Sequence, residues 1–130
     1  MPVEFQVSFE DKPGSLAWLG SVLGDAEINI EAIEGQSGRG VSVVHFVASD
    51  PQEAAAALEE AGIPYSKREV VVVNVLDDPG ALGEVALVMS EAGINIDCVY
   101  VTAKGDVVLG VDDVEGATQV ARGMAVAKEE

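Results

Sequence analysis

The chain repeats itself. Asp11-Lys12-Pro13-Gly14-Ser15-Leu16 is answered by Asp77-Asp78-Pro79-Gly80-Ala81-Leu82, an offset of 77 − 11 = 66 residues. Ala26, Ile28, Asn29 and Ile30 answer to Ala92, Ile94, Asn95 and Ile96 at the same offset, and Glu31 and Asp97 extend the match conservatively. Two copies of that length fill a chain of 130 residues, which marks a domain duplication and not a solenoid of short units. The matching positions include Pro, Gly and Asn, residue types that set backbone geometry. The expected division is residues 1–67 and 68–130.

Hydropathy patterning gives each copy a course. Val3, Phe5, Val7 and Phe9 alternate with polar residues, the mark of a half-buried strand. After the turn at residues 11–14, Leu16, Leu19, Val22 and Leu23 recur at helical spacing, and Pro13 is expected in the first helical turn. Gly20 and Gly24 weaken that helix by about 1 kcal/mol each relative to Ala, and close packing on a sheet is the expected reason for them. Residues 28–33 read as a second strand, Ser37-Gly38-Arg39-Gly40 as a hairpin, and residues 41–47 as a third strand. Asp50-Pro51 caps and opens a second helix over 52–61, and residues 63–66 form a short fourth strand, placed at an edge by Pro64.

The second copy follows suit. Residues 70–76 are a strand whose nearly continuous apolarity predicts burial on both faces. Leu82, Val85, Val88 and Met89 mark a helix, residues 95–102 and 107–111 strands around a turn at 104–106, and residues 114–127 a last helix. No fourth strand is evident there. The order strand, helix, strand, strand, helix, strand is an α+β, ferredoxin-like βαββαβ unit, an antiparallel sheet with helices on one face. Val43, Val71, Val73, Val99 and Val101 are expected to lie partly on the other face and to have it covered.

The turn before each first helix is the candidate site. A helix N-terminus leaves backbone N–H groups unpaired and carries partial positive charge, so it suits a carboxylate. Gly14 and Gly80 let a ligand approach the backbone. Asn29 and Asn95 offer amide donors and acceptors, and Asp11 and Asp77 can meet an ammonium. Together these groups suit a zwitterion. Taken singly, Asp-x-Pro-Gly is also ordinary turn chemistry.

Asp-x-Pro-Gly-x-Leu, a helix, then Ile-Asn-Ile about a dozen residues later resembles the ACT domain, a small regulatory module that binds amino acids. The resemblance occurs twice, at Pro13-Gly14-Ser15-Leu16 with Ile28-Asn29-Ile30 and at Pro79-Gly80-Ala81-Leu82 with Gly93-Ile94-Asn95-Ile96; the first copy has Glu27 where the second has Gly93. It spans residues 3 to about 127 and implies domains that pair side by side, with effectors between the strand–helix turn of one and the Asn-bearing strand of another. The implied ligand residues are Asp11, Gly14, Ser15, Leu16, Asn29 and Ile30, and Asp77, Gly80, Ala81, Leu82, Asn95 and Ile96. No catalytic domain is expected within these 130 residues.

Composition narrows the classes. Seven Lys and Arg against 23 Asp and Glu give a net charge of −16, which argues against nucleic acid or an anionic membrane surface as partner. No apolar run approaches the roughly 18 residues of a spanning helix. The N-terminus has neither the basic region nor the apolar run of a secretory signal, so a cytoplasmic location is expected. The acidity is compatible with a salty cytoplasm and with an ordinary acidic protein. Cys98 has no disulfide partner and reads as a small buried or half-buried residue, and His45 as a strand residue on the less buried face. No metal, cofactor or catalytic residue is expected: Asp112, Asp113 and Glu115 make a weak cation set, Arg39 sits in a hairpin, and Arg68 and Arg122 lie away from the glycine turns.

Two functions fit. One is a non-catalytic, dimeric amino-acid sensor. The other is a regulatory or assembly subunit docked on an enzyme of amino-acid metabolism without binding ligand, since small ACT-bearing subunits of branched-chain amino-acid enzymes resemble this chain in the same motifs.

Overall fold

The computed structural model describes residues 1–129, with side chains through Met124. The chain divides into two compact units, Val3–Arg68 and a second made of Met1–Pro2 and the chain from Glu69 onward.

In the first unit, strand β1 (Val3–Glu10) leads through the turn into helix α1 (Ser15–Asp25). Strands β2 (Ile30–Gly38) and β3 (Val41–Ala48) form a hairpin, followed by helix α2 (Pro51–Glu60) and strand β4 (Tyr65–Glu69). The sheet order is β2-β3-β1-β4, and β3 runs antiparallel to both β1 and β2. This is the expected ferredoxin-like arrangement. The hairpin turns at Arg39 and Gly40, with φ of 57° and 80°. Two successive left-handed residues match the right-handed twist of the strands they join.

The period-2 pattern of β1 sends Phe5 and Val7 to the same side as Val44 and Phe46 of β3, where Leu19 and Leu23 of α1 and Leu58 of α2 close the core. Phe5 and Phe46 are direct cross-strand partners and their rings stack at 5.3 Å. The opposite face carries a polar bridge across three strands. His45 Nδ1 meets a Glu34 carboxylate oxygen and His45 Nε2 lies 3.1 Å from Gln6 Oε1.

The second unit contains β5 (Val71–Val73), α3 (Ala81–Glu91), β6 (Ile96–Val101), β7 (Val107–Val111) and α4 (Val114–Glu129). Its sheet has the order β5-β7-β6, antiparallel throughout, with no fourth strand among the described residues. Val73, Val85, Met89, Leu109 and Ala117 form its core.

Several expectations need correction. Pro13 lies outside α1: Gly14 adopts a left-handed φ of 96°, which interrupts the right-handed run and delays the helix to Ser15. Gly20 and Gly24 do not serve close packing, because a Cβ at either would meet nothing within 4 Å. The second strand begins at Ile30 and continues to Gly38, since the hairpin extends its pairing. The fourth strand is Tyr65–Glu69, beginning after Pro64, and it does sit at the sheet edge. The strand expected over 70–76 is only Val71–Val73, with Leu76 exposed, because β7 pairs with those three residues alone. Val71 and Val73 belong to the core and not to an outer face.

Candidate functional site

The turn at the head of α1 is built from backbone requirements. The Asp11 N–H donates to Gly40 O at 2.9 Å, pinning the end of β1 to the β2–β3 hairpin. Gly14 is the helix cap, and no side chain caps the helix. A left-handed φ of 96° favours glycine whatever the surrounding space. The Ser15 hydroxyl reaches back to donate to Glu10 O at 2.8 Å. The first turn of α1 itself holds no acidic residue.

Against this turn lies an open pocket of about 410 Å³, within the size range of small-molecule sites. Asp11, Lys12, Ser15 and Leu16 form one wall, and the final residues of β2, Ile33 to Ser37, form another. Phe9 and Val44 contribute apolar surface. The Ser42 hydroxyl lies 2.6 Å from that of Ser37 and 3.4 Å from Asp11 Oδ1, so a chain of hydroxyls leads to the carboxylate. The arrangement can receive a carboxylate at the helix head, an ammonium near Asp11 and an apolar group against Phe9, Leu16, Ile33 and Val44.

Asn29 and Ile30 are not part of this pocket. β1 ends and α1 begins at one end of the sheet, whereas β2 begins at the other. An 11-residue helix separates them by about 16 Å. The Asn29 N–H instead donates to Ser49 Oγ at 3.2 Å and its carbonyl accepts from the Ser49 N–H at 2.9 Å, tying the start of β2 to the end of β3. Within one repeat, therefore, the turn and the asparagine are not neighbours. Ile33, Gly35, Ser37 and Ser42 are among the lining residues that sequence reasoning missed. Strand alternation starting from Ile33 would have placed Ile33, Gly35 and Ser37 on one face, but only the register shows that this face ends at the turn.

The second turn repeats the backbone without the same surroundings. Gly80 caps α3 with φ of 87°, again with no side-chain cap, and the Ala81 N–H donates to Asp78 O at 3.2 Å. Glu84 stands in the first turn of α3, and Leu82 is exposed, as Leu16 is in the first repeat. The Asn95 N–H donates to Asp112 Oδ1 at 3.0 Å, and the Asn95 carbonyl accepts from the Asp112 N–H. Ile96 opens β6, so Asn95 and Ile96 are placed as Asn29 and Ile30 are, away from the turn. Asp113 Oδ1 accepts from the Gly116 N–H at 2.9 Å and caps α4. Asp112 and Asp113 of the weak cation set thus accept from backbone donors.

The sequence matches the ACT domain pair family over residues 2–126. No curated protein matches it. The fold is similar to the crystal structure of protein BT0572 from Bacteroides thetaiotaomicron, at 24% identity and a TM-score of 0.85, covering 95% of this chain and 88% of that one. It is also similar to the ligand-free regulatory subunit of aspartate kinase from Thermus thermophilus, at 18% identity and a TM-score of 0.69, covering 94% and 91%. The crystal structure of aspartokinase alpha and beta subunits matches at 21% identity and a TM-score of 0.65, covering 92% and 88%. No described helix is long and apolar enough to cross a membrane.

Proposed function

The chain belongs to the family of ACT domain pairs, and from that premise we propose that it is a non-catalytic regulatory protein that binds a small amino acid and signals by changing how ACT domains or subunits pair. The observation that carries the reading is the pocket at the head of α1. There a helix end without a side-chain cap, the Asp11 carboxylate and an apolar wall converge in a volume suited to a zwitterion. Asp11, Ser15 and Leu16, which line the pocket, are the residues assigned to ligand, with Gly14 shaping the turn that presents them. Asn29 and Ile30, a helix length away, could serve only a site completed by another ACT domain. A cytoplasmic homodimer that reports to an enzyme of amino-acid metabolism is part of the same proposal, supported by similarity to proteins named as regulatory subunits of aspartate kinase.

A signal of this kind is bounded by the ligand's preference for one pairing over another. The test is a thermal-shift screen of the whole chain against the twenty amino acids. A binder present at a hundredfold excess over its Kd stabilises the fold by about 2.7 kcal/mol, and its effect saturates. If none raises the melting temperature at millimolar concentration, the sensor reading fails. Co-purification with a larger enzyme would then favour a docking subunit.

A further inference from the structure

Resting on the amino-acid-binding reading, we infer that the recognition site belongs to the first repeat alone and takes a free amino acid with an aliphatic side chain. The two turns share a backbone but differ at the three positions that decide what a pocket can hold.

The first difference is volume. Gly35 faces Val44 across the β2–β3 register, and a Cβ at Gly35 would meet the Val44 side chain at 3.2 Å and Val43 O at 3.3 Å. The glycine keeps the pocket wall low at this position. Its counterpart at the offset of 66 is Val101, paired with Val107 in the same manner. A branched side chain occupies the place that Gly35 leaves open.

The second difference is charge. Lys12 becomes Asp78, so the second turn presents Asp77 and Asp78 with no adjacent cation, and Glu84 adds a third carboxylate in the first turn of α3. A ligand carboxylate would be repelled there, whereas at the α1 head the first turn holds no acid and Lys12, 3.6 Å from Glu10 Oε2, offsets a neighbouring carboxylate. The third difference is polarity. Ser15 becomes Ala81, which removes a hydroxyl from the head of the helix.

The class of side chain follows from the remaining wall. Phe9, Leu16, Ile33 and Val44 give the first pocket four apolar lining residues, with Asp11 at one side for the ammonium. Burial of a branched aliphatic chain against these four side chains is favourable, and a charged side chain laid on them would lose hydration.

Isothermal titration of the twenty amino acids into the full chain tests this. The expected result is one site per chain, with Val, Leu or Ile bound more tightly than Ser, Asp or Lys. Ile33→Ser, at a side chain 42% exposed and so tolerated by the fold, should weaken binding by about tenfold. Gly35→Val should abolish it while far-ultraviolet circular dichroism stays unchanged. Two sites per chain would overturn the inference and leave amino-acid sensing intact. So would preference for a charged ligand, or a site surviving in both variants. Failure of every amino acid to bind the wild-type chain would instead remove the sensing reading on which the inference rests.

Discussion

Glu27 and Gly93 hold the same backbone position in the two repeats, with left-handed φ of 59° and 76°. Each follows a helix whose end is closed in the same way. The Ile28 N–H donates to Leu23 O and the Glu27 N–H to Gly24 O, while the Ile94 N–H donates to Met89 O and the Gly93 N–H to Ser90 O. This Schellman closure wants glycine. A side chain at such a φ costs about 1 kcal/mol. Glu27→Gly should therefore stabilise the protein by roughly that amount, and Gly93→Ala should destabilise it by as much. Chemical denaturation of the two variants checks both signs, and a destabilising Glu27→Gly would contradict the argument.

Gly20 carries a second reserve of stability. It sits mid-helix in α1, and an added Cβ would meet nothing within 4 Å. Gly20→Ala should raise stability by about 1 kcal/mol through helix propensity alone. A lower denaturation midpoint for this variant would show that the glycine is needed for a contact outside the chain.

The repeat made most of this fold legible before any coordinates, because Pro, Gly and Asn at one offset declare the same backbone twice. What it hid was a change of offset. Ser49 and Asp112 play the same part for Asn29 and Asn95, and 112 − 49 = 63, not 66. The helix caps Asp50 and Asp113 also stand 63 apart. The second hairpin is three residues shorter, so matching by a constant offset loses the partners of β3. The candidate turn was legible for the same reason as the fold. Its pocket was not, because Gly35 and Ser42 enter it through pairing of strands that meet only in three dimensions.

Asp50 and Asp113 should be energetically equivalent. Asp50 Oδ1 accepts from the Glu53 N–H at 3.1 Å, and Asp113 Oδ1 accepts from the Gly116 N–H at 2.9 Å. Each satisfies one of the helix-end donors that has no partner within its helix. Replacing either with Ala should cost about 1 kcal/mol, measured by urea denaturation, and Asn at either position should recover most of it.

The Tyr65 phenol is held above its usual pKa of 10.0, first by its hydrogen bond to Glu59 Oε1 at 2.7 Å, then by desolvation and by the Glu59 charge. The folded state thus favours the neutral phenol. This contribution is fully present below the unfolded pKa of about 10 and is lost as pH rises through the folded value. In a Tyr100→Phe background, ultraviolet absorbance should show Tyr65 ionising above 10.0, and Glu59→Gln should lower its pKa. An unchanged titration in Glu59→Gln would assign the shift to desolvation instead.

A net charge of −16 on 130 residues sets the remaining expectation. Like charges confined to a compact surface repel, and unfolding lets them separate. Salt shortens the Debye length from about 30 Å at 0.01 M to about 8 Å at 0.15 M, so repulsion between surface carboxylates is screened within that range. The Lys12–Glu10 and Arg68–Glu4 ion pairs do not offset it, and the first is exposed and weak. The melting temperature should therefore rise as sodium chloride is added to a low-salt buffer, most steeply over those first additions. A melting temperature that falls with salt would mean that attractive pairs outweigh the repulsion of the excess carboxylates.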